Sequence, residues 1–135
     1  MCIRDRVKIK LLVRGVCCLV PGIENLSDNI EVFSIVDRYL EHGRIFIFAN
    51  GNEESIYIGS ADLMTRNLDH RIEVITPLLD PDIKQRVRKT VDLQFEEGVK
   101  RRIIDENQLN NYVSLDEDIN QSSQHLIYEY LKNKI

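Results

Sequence analysis

The chain has 135 residues, 43% of them hydrophobic and 30% charged, with a formal net charge of -4 and an isoelectric point near 5.4. That is the size and balance of one soluble globular domain. The acidic balance argues against a broad nucleic-acid surface, which is normally basic, and no apolar run reaches the roughly 20 residues of a membrane span. No signal-peptide pattern opens the chain, so the expected compartment is the cytoplasm.

Residues 1–6 show no periodicity and read as a non-native leader. Residues 7–135 read as a single domain. Val7 to Val13 alternate apolar with basic and then turn wholly apolar, as in a strand entering a sheet. A strand so near the start, with nothing before it to pair with, reads as an N-terminally truncated domain. Arg14-Gly15 ends the strand, and a loop rich in turn formers follows to Asn29. Within it, Cys17 and Cys18 are expected to be small core residues. No CxxC spacing suggests zinc, and three cysteines make no disulfide framework.

Ile30 to Val36 reads as a strand, followed by a helical turn over 37–41. Arg44 to Phe48 is a strand, Ala49 to Asn52 a hairpin turn, and Ser55 to Gly59 its returning partner. A short helix or turn is expected over 61–69, and a further strand over 71–75. Asp80-Pro81 opens the clearest helix, with Asp80 as cap and Pro81 at the first position, where no amide donor is needed. Ile83, Val87, Val91 and Phe95 share one face, and Gly98 is a natural stop. Residues 105–123 read as an exposed polar loop and 123–133 as a last short helix. The strands and helices together give an α/β fold, a mixed sheet flanked by helices.

Among the three histidines, His42 stands out. It follows Glu41, precedes Gly43, and falls where a helical turn meets a strand. Element ends hold side chains in place yet leave them open to a ligand, and imidazole exchanges protons near neutral pH. His125 reads as a structural or solvated helix residue. Arg14, Arg44, Arg66 and Arg71 also mark element ends. Guanidinium groups bind phosphate through paired donors, although ion pairs with Asp62 and Asp69 are the plainer reading. Gly59-Ser60-Ala61-Asp62 offers small residues at a bend that backbone amides could use for a phosphate. Neither a GxxxxGK[ST] loop nor a GxGxxG fingerprint is present.

Four stretches match a family in order and spacing: Leu12-Val13-Arg14-Gly15, Ser34 to His42, Ser60 to Asp69, and Pro77-Leu78-Leu79-Asp80. They resemble the C-terminal domain of bacterial polyphosphate kinase, which is of the phospholipase-D-like type. The resemblance implies an α/β, phospholipase-D-like half. It implies reversible transfer of the ATP terminal phosphate to inorganic polyphosphate, with ATP, ADP and polyphosphate as partners. Neither nucleic acid nor membrane is implied, and the full-length protein is expected to be a homo-oligomer. Within the resemblance His42 corresponds to a histidine of the active site, general acid or phosphate ligand. Arg14 corresponds to an arginine on the nucleotide phosphates, and Arg71 to another basic residue of that pocket. The histidine that becomes phosphorylated lies in a preceding domain. Magnesium is implied for the full-length enzyme, with ligands outside this chain; lacking the phosphorylated histidine, the piece alone is expected to be inactive.

Two other functions compete. A phosphodiesterase half would carry the His-x-Lys triplet followed by Asp, whereas this chain has His42-Gly43-Arg44 and then Asn50. A non-catalytic assembly domain would use the long helix and polar tail for contacts.

Overall fold

The computed structural model describes residues 7–113 and 121–134. The leader reading of 1–6 and part of the polar loop lie outside them. The chain divides into two compact units: Glu41–Gln94, and the chain up to Leu40 joined by the chain from Phe95 onward.

The first unit carries a three-stranded sheet in the order β1-β2-β6 (Ile9–Leu12, Ile30–Ser34, Arg102–Ile104). β1 runs parallel to β2, with Ile9 opposite Ile30 and Leu12 opposite Phe33. The antiparallel β6 sets Val32 opposite Ile104. Val32 and Phe33 on the central strand are buried, because only that strand is covered along both edges. Between β1 and β2 the chain makes a tight turn around Ser27. The buried Ser27 hydroxyl donates to the Val20 carbonyl at 2.7 Å and accepts from the Ile23 amide at 3.0 Å. Both polar capacities of that side chain are thus used, which is what makes its burial tolerable.

The second unit carries another three-stranded sheet, fully antiparallel, in the order β3-β4-β5 (Ile45–Phe48, Ser55–Gly59, Ile75–Pro77). A short 3-10 turn over Asn50–Asn52 joins β3 to β4, with Asn50, Gly51 and Asn52 all at positive φ. Asn and Gly are the residues that reach that region at least cost. Ile56, the second residue of β4, is 2% exposed and is the largest fully buried side chain among the described residues. After the short helix α1 (Thr65–Leu68) and β5, the long helix α2 (Pro81–Phe95) begins under the Asp80 cap. Asp80 Oδ1 accepts from the Ile83 amide at 2.9 Å. The last helix, α3 (Ser123–Lys132), is capped by Ser122.

The mixed α/β character matches the sequence expectation, but the strands divide between two sheets. Five local readings change. The helical turn over 37–41 is absent, because side chains of the last helix take its backbone partners. Gln124 accepts from the Tyr39 amide at 2.9 Å and donates to the Tyr39 carbonyl at 2.7 Å, while Ser122 donates to Asp37 at 2.5 Å. The strand expected over 71–75 begins only at Ile75. β6 escaped the sequence reading altogether. Cys18 is exposed and Cys17 half-buried, so neither is a core residue. The long helix buries Leu93 rather than its expected stripe, and Ile83 is 49% exposed.

Candidate active site

The second unit gathers the groups able to handle an anion. His42 and Arg44 stand immediately before β3, and the loop after β4 brings Asp62 to them. Arg44 is fixed first through its backbone, whose carbonyl accepts from the Gly59 amide at 2.9 Å. Its guanidinium then spans two partners. Nε donates to Asp62 Oδ1 at 2.8 Å, and Nη2 lies 2.7 Å from His42 Nε2. The Arg44 side chain is 20% exposed and that of His42 57%. The arginine is therefore the anchored member and the histidine the open one. Asp62 Oδ1 and His42 Nε2 are 3.9 Å apart, too far for a hydrogen bond.

The electrostatics follow the geometry. The hydrogen bond from Arg44 holds the Asp62 carboxyl below its ordinary range, with further help from the charges of Arg44 and Arg66. The same bond pushes the Arg44 guanidinium above its usual value. A second carboxylate, Glu73, is held low by hydrogen bonds from Ser60 and Asn67, then by the charges of Arg71 and Arg44. Ser60 donates to Glu73, Asn67 Nδ2 donates to it at 2.7 Å, and the Val74 amide donates to Ser60 Oγ at 3.1 Å. Asn67 is 2% exposed. This knot ties the loop after β4 to the segment entering β5.

Of the residues singled out in the sequence, His42, Arg44, Arg66 and Arg71 share this unit. Arg14 lies in the first unit, exposed at a bend just past β1. Arg71 is also exposed. The plainer reading of Arg44, an ion pair with Asp62, holds. Glu73 and Asn67 were missed, because nothing in a local window marks a glutamate as acceptor for a serine thirteen positions earlier. His125 is exposed at the first turn of α3, as expected of a solvated residue.

A family model described as polyphosphate kinase C-terminal domain 2 matches residues 4–124. The chain belongs to the polyphosphate kinase family. The polyphosphate kinase of Escherichia coli strain K12 is 52% identical over 127 residues, covering 94% of this chain and 18% of that protein. The polyphosphate kinase of Vibrio cholerae is 48% identical over the same length. Among solved structures, the polyphosphate kinase of Porphyromonas gingivalis superposes with a TM-score of 0.88 at 43% identity, over 95% of this chain and 20% of that one. The α/β, phospholipase-D-like class expected from the sequence agrees with that match. The chain spans about 18% of the length of the curated polyphosphate kinases it matches.

Among the described residues, no helix is long and apolar enough to cross a membrane. No group of three His, Cys, Asp or Glu side chains gathers there to hold a metal ion. Asp62 and Glu73, the two carboxylates of this network, already have protein donors.

Proposed function

We propose that this chain is the phosphate-handling C-terminal part of an enzyme that reversibly transfers the terminal phosphate of ATP to inorganic polyphosphate. The carrying observation is family membership along nearly the whole chain, at 52% identity to a polyphosphate kinase. An open histidine held against Arg44, with Arg66 and Arg71 in the same unit, fits the chemistry. In phosphoryl transfer the bond from the γ-phosphorus to the bridging oxygen of ADP breaks, and charge spreads over the three peripheral oxygens. Catalysis is then largely positioning and charge stabilisation. Arg14 and Arg71 are assigned to phosphate oxygens in the whole protein, through the paired donors of a permanently charged group. His42 is assigned to the transferring phosphate as hydrogen-bond donor or general acid.

The histidine that accepts the phosphoryl group is assigned to a preceding domain, so the chain alone is inactive. When bound, magnesium would neutralise phosphate charge. Its ligands are assigned to the protein outside this chain. The whole protein is read as a cytoplasmic homo-oligomer.

The test uses the complete kinase. His42→Ala should lower kcat for synthesis by about a hundredfold to ten-thousandfold, the range of a lost proton-handling group. Arg14→Ala should weaken ATP binding by about tenfold to a hundredfold, the range for a charged hydrogen bond of about 1.5–3 kcal/mol. Full synthesis by both variants would instead support an assembly role. Diester hydrolysis by the wild type would support the phosphodiesterase reading.

A further inference from the structure

We propose that Arg44, anchored on Asp62, is a positioning residue that fixes His42 in its Nδ1–H tautomer, leaving Nδ1–H as the edge His42 presents to a phosphate oxygen. The first half stands on geometry alone, and the second rests on the phosphate-site reading of His42.

A guanidinium has five donors and no acceptor. Arg44 Nη2 and His42 Nε2 are 2.7 Å apart, a distance two N–H donors cannot share. Nε2 must therefore supply its lone pair. A neutral imidazole carries one ring proton, and the partner of one nitrogen decides which nitrogen holds it. With Nε2 accepting, the proton sits on Nδ1. A protonated ring is incompatible with the contact, because both nitrogens would then be donors.

What gives Arg44 authority over the ring is its own anchoring. Its Nε–H is committed to Asp62 Oδ1 at 2.8 Å and its carbonyl to the Gly59 amide at 2.9 Å. Asp62 cannot replace it as the ring's partner, since 3.9 Å separates the two atoms. The charged groups acting on this pair within the unit are Asp62, Glu73 and, through Asp62, Arg66. Placing a proton on Nε2 thus requires the Arg44 contact to open, and the guanidinium nitrogen so released becomes available to an anion. That couples the protonation of His42 to the freedom of a neighbouring cation.

The test reads the tautomer directly. The whole chain is labelled with 15N in its three histidines, and His42→Gln identifies the His42 signals. At about pH 8.5, well above the ordinary histidine range, the ring nitrogens separate by shift into protonated and unprotonated. Wild type should show protonated Nδ1 and unprotonated Nε2. Arg44→Ala should revert to the Nε2–H form that an unconstrained imidazole favours, and Arg44→Lys should retain most of the Nδ1–H form. Should Arg44→Ala lose amide dispersion, Asp62→Ala serves instead by freeing the guanidinium. Wild-type Nε2–H, or an unchanged ring in both Arg44→Ala and Asp62→Ala, overturns the assignment. In the complete kinase, Arg44→Ala should lower kcat about tenfold or more with KM for ATP nearly constant, and Arg44→Lys should restore most of it. A loss confined to KM would make Arg44 a nucleotide ligand and overturn the positioning role. Full activity of His42→Ala would sink the function reading while leaving the tautomer result standing.

Discussion

Asp62 and Glu73 are the side chains through which this site responds to acid. Both carboxyls are held below their ordinary values, Asp62 by the Arg44 hydrogen bond and Glu73 by the Ser60 and Asn67 hydrogen bonds. A depressed folded-state value stabilises the fold above the unfolded value, which lies near 4 for a carboxylate. That stabilisation is lost as pH falls through the depressed values. Asp62→Asn keeps an acceptor oxygen but removes the charge. It should lower the thermal midpoint at neutral pH, and the gap to wild type should close as pH falls from about 5 to about 2. Circular dichroism melts across that range give the answer, and a gap that widened toward acid would refute the assignment. Of this network, His42 and Arg44 were legible in the sequence because element ends and residue type mark them. The Asp62 pairing was legible only as one option among several. Glu73 was not legible, since its partners arrive through tertiary contact.

The elements show where local pattern governs and where pairing does. α2 was readable because its start is chemical: a cap at Asp80 and a proline that needs no donor. β3 and β4 were readable from β-branched and aromatic runs on either side of an Asn-Gly turn. β6 is three residues, Arg102-Ile103-Ile104, and only its pairing with β2 makes it a strand. β5 misled because Glu73, in the middle of the apparent alternation, belongs to the Ser60 and Asn67 knot rather than to a ladder. The chain also packs closely at the junction of β4 with β5. A Cβ on Gly59 would lie 3.0 Å from Ile75 Cγ1 and 3.2 Å from the Val74 carbonyl oxygen. Gly59→Ala should therefore destabilise the fold by about 1–3 kcal/mol through overpacking. Urea denaturation should show a lower midpoint at unchanged slope. A variant as stable as wild type would mean that β5 yields freely at that edge.

At the scale of the whole molecule, the surface is the informative part. Scattered exposed apolar residues are ordinary, but in the second unit several fall within one short stretch of chain. Leu63 is 74% exposed, Ile72 100%, Val74 64% and Leu79 80%. The first unit ends its sheet on β1, an edge strand only four residues long. Short edges are a common defence against strand addition, so the apolar stretch, rather than the edge, should set solution behaviour. A formal charge of -4 supplies some mutual repulsion between molecules, and salt screens it over about 10 Å at 0.1 M. Self-association of the 135-residue chain should accordingly strengthen as salt is added. Ile72→Ser with Leu79→Ser should weaken it at every salt concentration. Because both side chains are exposed, the double variant should keep the wild-type stability to within about 0.5 kcal/mol per substitution. Sedimentation velocity at rising salt, paired with thermal melts, separates these effects. Association that persists in the double variant would shift attention to β1 and its open edge.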